Sequence, residues 1–165
     1  MFIIPRTKRI RVLRLLFSFL VEVGIPVLLN NLNHKPVIGV TVVLADYRTQ
    51  KNAGTTPKEA LMDAKSAMRY LKQHAMSIHV DPDKILAGGG SAGGHLAAAT
   101  AFCHQINNPE DDLNVSSIPK ALILFNPVID NGPHGYGFDR VKDYYRDFSP
   151  IHNIKKDAPP AIFFL

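Results

Sequence analysis

Gly89-Gly90-Ser91-Ala92-Gly93 brings a hydroxyl together with a backbone that is free to bend. Two kinds of chemistry use such a pattern. In G-x-S-x-G, the serine sits on a strained strand-to-helix turn that lifts its hydroxyl clear of the sheet edge, ready to attack an acyl carbonyl. The first N–H groups of the following helix then face the developing oxyanion, and that of Ala92 is one of them. Read one residue earlier, Gly88 to Gly93 also fit G-x-G-x-x-G, the loop that cradles a dinucleotide pyrophosphate. A third reading is packing alone, with Gly89, Gly90 and Gly93 allowing strand and helix to touch. The dinucleotide reading needs an acid about 20 residues on, at the end of the next strand. Glu110, Asp111 and Asp112 fall instead in a Pro/Asn-rich stretch. No Lys-Ser/Thr follows the glycines, which excludes a phosphate-binding P-loop. The serine reading leads, and the packing turn stays open beside it.

Such a serine requires a strand before it and a helix after it, and the flanking sequence supplies both. Lys84 to Gly89 reads as a short strand, and Ser91 to Ile106 as a helix of small residues that packs closely on a sheet. Upstream, the β-branched run Val37 to Tyr47 suits a strand buried on both faces. Thr56, Pro57 and Glu59 form a capping box with proline at the first helical position. In the helix that follows, Leu61, Ala64, Met68 and Leu71 make an apolar face, while Lys58, Lys65, Arg69 and Lys72 are expected mostly toward solvent. Asp81-Pro82 is a turn. Ala121 to Asp130 is a further buried strand, Asn131 to Asp139 a mobile loop, and Pro159 to Leu165 a final strand. Alternating strands and helices imply an α/β fold with a mainly parallel sheet and flanking helices.

Composition fits one domain with a real core: 165 residues, 46% hydrophobic and 20% charged. The single Cys103 excludes an internal disulfide and reads as a small buried apolar residue. No Cys/His spacing suggests zinc. The net charge of +5 is concentrated at one end, in Arg6, Lys8, Arg9, Arg11 and Arg14. Setting those five aside from the 19 Lys and Arg leaves 14, equal to the 14 Asp and Glu, so no nucleic-acid surface is expected. The basic run precedes the apolar stretch Leu15 to Leu29, which is signal-like, although Glu22 and Pro26 interrupt it. A membrane partner is not expected, and the compartment stays open between cytoplasm and a secreted or periplasmic location.

The stretches VVLADYRT, DAKSAMRYLKQHA, DPDKILAGGGSAGGHLAAATA and LFNPVID together resemble the α/β-hydrolase serine esterases. Within them, the acetyl-esterase and feruloyl-esterase-like group related to hormone-sensitive lipase is the most similar. The resemblance spans about Val40 to Leu165. It implies a carboxylic-ester hydrolase acting on short acyl groups, acetyl among them, carried by a carbohydrate or small alcohol. Ser91 corresponds to the nucleophile and Ala92 to an oxyanion-hole N–H donor, and no metal or organic cofactor is needed. In that family a triad Asp and then a His follow the strand that Pro159 to Leu165 resembles, so neither is expected within this chain. His95, one turn beyond Ser91, suits packing or a hydrogen bond rather than base chemistry. His134 and His152 read as loop residues, Asp130 as a turn residue, and Asp46 and Arg48 as makers of structural hydrogen bonds.

The family also carries a Gly-Gly-Gly oxyanion loop before the DYR stretch, where this chain has no Gly-Gly. One permissible set of codons for Phe19 to Gly24, read in a shifted frame, encodes Phe-Gly-Gly-Gly-Trp. Extended over Leu13 to Ile38, the same frame yields a strand, that loop and the start of a helix. Residues 1–38 are therefore expected to be an aberrant, frame-shifted or signal-like segment, and 39–165 a partial hydrolase domain. The expected activity of the chain itself is small, because a serine without its base retains only binding and oxyanion effects. The competing class is a non-catalytic fragment or interaction protein that keeps the turn for packing and exposes a strand edge at Ala161 to Leu165.

Overall fold

The computed structural model describes residues 19–23 and 41–165. Elements follow in the order β1 (Phe19–Val23), β2 (Thr41–Ala45), α1 (Gln50–Ala53), α2 (Pro57–Gln73), β3 (Ile85–Gly90), α3 (Ala92–Phe102), β4 (Ala121–Phe125), α4 (Phe138–Val141), α5 (Tyr145–Phe148) and β5 (Ala161–Phe164). The sheet order is β2-β1-β3-β4-β5. β3, β4 and β5 are parallel, and β1 is antiparallel to both of its neighbours. β2 therefore runs with β3, and β1 alone opposes the common direction. Apart from β1, the segment 1–38 lies outside the described residues, and with it the basic run, most of the signal-like stretch and the frame-shift expectation.

α2 begins as its sequence requires. Thr56 Oγ1 accepts from Lys58 N–H at 3.3 Å, and the Glu59 carboxylate accepts from Thr56 N–H at 2.9 Å. Leu61, Ala64, Met68 and Leu71 are buried against the core, and α3 packs on β3, β4 and α2. α3 is buried almost all round, which its alanines and glycines permit by letting backbones approach closely.

Four expectations are corrected. Lys65 and Arg69 do not face solvent; they are 2% and 6% exposed. Lys65 Nζ donates to the carbonyls of Cys103 and Ile106 at 2.8 and 2.7 Å, closing off the C-terminal end of α3, where unpaired carbonyls and the helix dipole favour a cation. Arg69 donates to Asp111 Oδ2, Asn107 Oδ1 and Val115 O at 2.9, 2.8 and 3.0 Å, and Ser66 Oγ donates to Asp111 as well. This row of α2 side chains therefore anchors the long connection from α3 to β4. β2 is also not buried on both faces: Val43 and Ala45 are buried, while Val42 is 40% exposed. β4 stops at Phe125, five residues short of Asp130. Finally, the segment after it is tied rather than loose: Tyr136 N–H donates to Asp130 O, Gly135 N–H to Gly132 O, and Asn131 Nδ2 to Tyr136 O. Cys103 is buried as expected, its Sγ 3.2 Å from Phe148 O, and burial pushes its thiol up to about 12.

Candidate active site

Ser91 lies between the last residue of β3 and the first of α3, with φ 51° and ψ −116°. A non-glycine residue there is strained, and the strain persists because both sides are fastened. Ser91 N–H donates to Phe125 O at 3.0 Å, across to the end of β4. Its carbonyl accepts from His95 N–H at 3.0 Å and from Val128 N–H at 3.4 Å. Its hydroxyl makes no capping bond to α3 and has no hydrogen-bond partner among the described residues. Ala92 occupies the first helical position, whose N–H has no acceptor within the helix.

The glycines of the turn are not equivalent. A Cβ on Gly89 would lie 2.6 Å from the Gly93 carbonyl carbon, because β3 ends directly under the first turn of α3. At Gly90 the nearest atom to such a Cβ is 3.9 Å away, an ordinary contact. Gly93 is buried within α3. Gly94, which the motif does not include, is as confined as Gly89: its Cβ would meet Gly89 O and Pro127 Cβ, each at 2.9 Å. The signal for it was the second glycine of the Gly93-Gly94 pair.

Beside Ala92 opens a cavity of about 610 Å³, walled by the first turns of α2 and α3, by residues 47–56 and by α4. Arg48 is held on that wall by Asp63: Nε and Nη2 donate to the carboxylate at 2.8–3.1 Å, and the backbone N–H adds a bond of 2.9 Å. The hydrogen bonds to Asp63 raise the guanidinium further above its already high value. Asp46 serves its own turn, accepting from Tyr47 N–H. Both residues make the structural bonds expected of them.

His95 also lines the cavity but is only 5% exposed, and its ring lies 4.3 Å from that of Phe148. Burial holds its imidazole down to about 4, so it is neutral at pH 7, and the weaker opposing effects of the Phe148 backbone and the Asn131 side chain do not reverse this. Its Nε2 has no hydrogen-bond partner among the described residues. His152 Nδ1 lies 2.9 Å from Ser149 Oγ and 4.0 Å from Asp130 Oδ1. Both groups address the same ring nitrogen, whereas a proton relay needs one on each. Asp130 Oδ1 meanwhile accepts from Gly132 N–H at 2.7 Å, as a turn residue does. This corner fastens the segment after β4. His134 lies in the same segment, in the turn before α4.

A family profile described as BD-FAE matches residues 31–135, well over half of the chain. The chain belongs to the BD-FAE family. This is a family of α/β-hydrolase carboxylesterases, and the described sheet and helices match that fold in part. The structure of Thermogutta terrifontis esterase 2 in its apo form is similar to 74% of this chain, with 41% identity and a TM-score of 0.70. The same esterase has been solved with propionate bound, with butyrate bound, and phosphonylated by sarin. Among curated relatives, the probable carboxylic ester hydrolase LipM of Mycobacterium tuberculosis is 28% identical over 151 residues, 78% of this chain. Endo-1,4-beta-xylanase B of Butyrivibrio fibrisolvens is 27% identical over 118 residues, 65% of this chain. The chain spans 47% of the T. terrifontis esterase, 34% of LipM and 18% of the xylanase.

Proposed function

We propose that this chain carries the nucleophile half of a serine carboxylic-ester hydrolase, with Ser91 as nucleophile and the N–H of Ala92 as one oxyanion donor. The observation that carries the reading is the strained backbone of Ser91 at the head of α3, with its hydroxyl uncommitted and a cavity opening beside Ala92. In the reaction, Ser91 Oγ adds to the ester carbonyl as its proton passes to water, which returns it to the departing alkoxide oxygen, and the negative charge forming on the carbonyl oxygen turns toward the helix N-terminus. Collapse expels the alcohol and leaves an acyl-serine, which water then hydrolyses. Short acyl groups are the proposed substrates. The propionate and butyrate bound by the T. terrifontis esterase support that size, and acetyl esters of a carbohydrate or small alcohol fall within it.

No imidazole reaches Ser91 Oγ among the described residues, so turnover by this chain is expected to be slow. The test is covalent. A fluorophosphonate probe should label the chain at Ser91, mapped by peptide mass spectrometry, and Ser91→Ala should abolish the label. A folded chain that stays unlabelled under prolonged exposure would leave the turn as a packing device only.

A further inference from the structure

The cavity beside Ala92 is electrostatically one-sided. Among the described residues that line it, Arg48, Lys51 and Arg140 are cationic and none is acidic. That imbalance is not inherited from a basic chain, since outside the N-terminal run acids and bases are equal in number. Two carboxylates next to the wall are already engaged. Asp63 is bound by Arg48, and Glu59 by Thr56 N–H and Oγ1.

Each cation is placed differently. Arg48 is fixed through Nε and Nη2, which leaves Nη1 with no acceptor among the described residues. Arg140 folds back over Gly137, where its Nη2 lies 2.5 Å from the position a Cβ would take, and its guanidinium carbon stands 5.4 Å from the centre of the Tyr136 ring. Lys51 stands on the exposed helix α1 and also lines the cavity. Neither Lys51 nor Arg140 has an ion pair among the described residues. The N-terminal turn of α3 adds its positive end to the same space.

We infer that this cavity selects esters carrying a second, ionised carboxylate, such as half-esters of dicarboxylic acids. The carboxylate lies toward Lys51 and Arg140, with Arg48 Nη1 available to it, while the ester carbonyl lies toward Ala92. Charge-assisted hydrogen bonds from guanidinium to carboxylate supply orientation, and the positive field of Lys51 and Arg140, which no described carboxylate pairs, raises the local concentration of the anion. This inference rests on the ester-hydrolase reading for the ester group and on the cavity for the carboxylate.

Binding of monomethyl glutarate, dimethyl glutarate and acetate to the full chain, measured by titration calorimetry or NMR shifts at low salt, tests it. Monomethyl glutarate is expected to bind about tenfold more tightly than either other probe and to weaken as salt rises. The double variant Lys51→Gln/Arg140→Gln should lose most of that preference and bind the dimethyl ester unchanged, which also shows that it is folded. Equal affinity for the two glutarates, unchanged discrimination in the double variant, or acetate binding as tightly as the half-ester would overturn the inference. Labelling of Ser91 separates the two readings. A labelled serine without carboxylate discrimination sinks this inference alone, and discrimination without labelling sinks the catalytic reading alone.

Discussion

Ser91 and the glycines around it divide a single motif into parts with different physical duties. Gly89 is required by contact, since any side chain there enters the backbone of Gly93. Gly90 has room for a methyl group. Gly89→Ala should therefore cost about 1–3 kcal/mol through overpacking against a backbone that cannot yield. For a chain of this size each kcal/mol lowers Tm by about 2–4 °C. Gly90→Ala should leave Tm close to that of the parent, and thermal unfolding followed by circular dichroism distinguishes the two. Equal losses at both positions would mean that the turn is limited by its dihedral angles and not by the approach of α3.

At the scale of elements, α2 works on two sides. Its apolar face was legible from the spacing of Leu61, Ala64, Met68 and Leu71, because a period of 3.6 brings them to one stripe. The roles of Lys65 and Arg69 were not, because a charged residue opposite an apolar stripe has the same sequence signature whether it meets water or a folded-over loop. Burial depresses the Lys65 ammonium to about 8, with Arg69 nearby adding to the effect. Below pH 8 both folded and unfolded chains hold this proton, and the folded chain bears the full cost of a buried charge. Between about 8 and the ordinary 10.5, the unfolded chain keeps the proton while the folded chain releases it, so this group's contribution to stability rises with pH. Over that window the gain amounts to at most about 3 kcal/mol. Urea denaturation of the parent and Lys65→Met at pH 7.5 and pH 9.5 checks the sign. The parent should gain relative to the variant as pH rises, and a constant difference would show that the ammonium stays charged between the two carbonyls.

Taken as a whole, the described residues leave most apolar surface exposed on the side of the sheet formed by β5. Ile162, Phe163 and Phe164 are 60%, 49% and 51% exposed, and β5 pairs only with β4 among the described residues. An exposed apolar strand with one edge unpaired among the described residues invites pairing with another strand. The chain should associate with rising concentration, and Phe163→Lys should shift sedimentation toward monomer without altering Ser91 labelling. Concentration-independent sedimentation of the parent would show that this face is inert.

Local chemistry determined much of this protein. The capping box at Thr56 to Glu59 and the strand-turn-helix around Ser91 each follow from neighbours within a few residues, whose sterics and hydrogen bonds act locally, while the parallel β3 and β4 and the buried Cys103 were legible from residue pattern and type although distant segments complete them. Tertiary structure decided what depends on segments far apart. It brought Asp111 onto Ser66 and Arg69, turned β1 against the other strands, confined Gly94 beneath Pro127, and gathered Arg48, Lys51 and Arg140 around one cavity. The reason is physical. Burial, field and close approach are sums over neighbours in space, and a residue's neighbours in the chain specify only a small part of that sum.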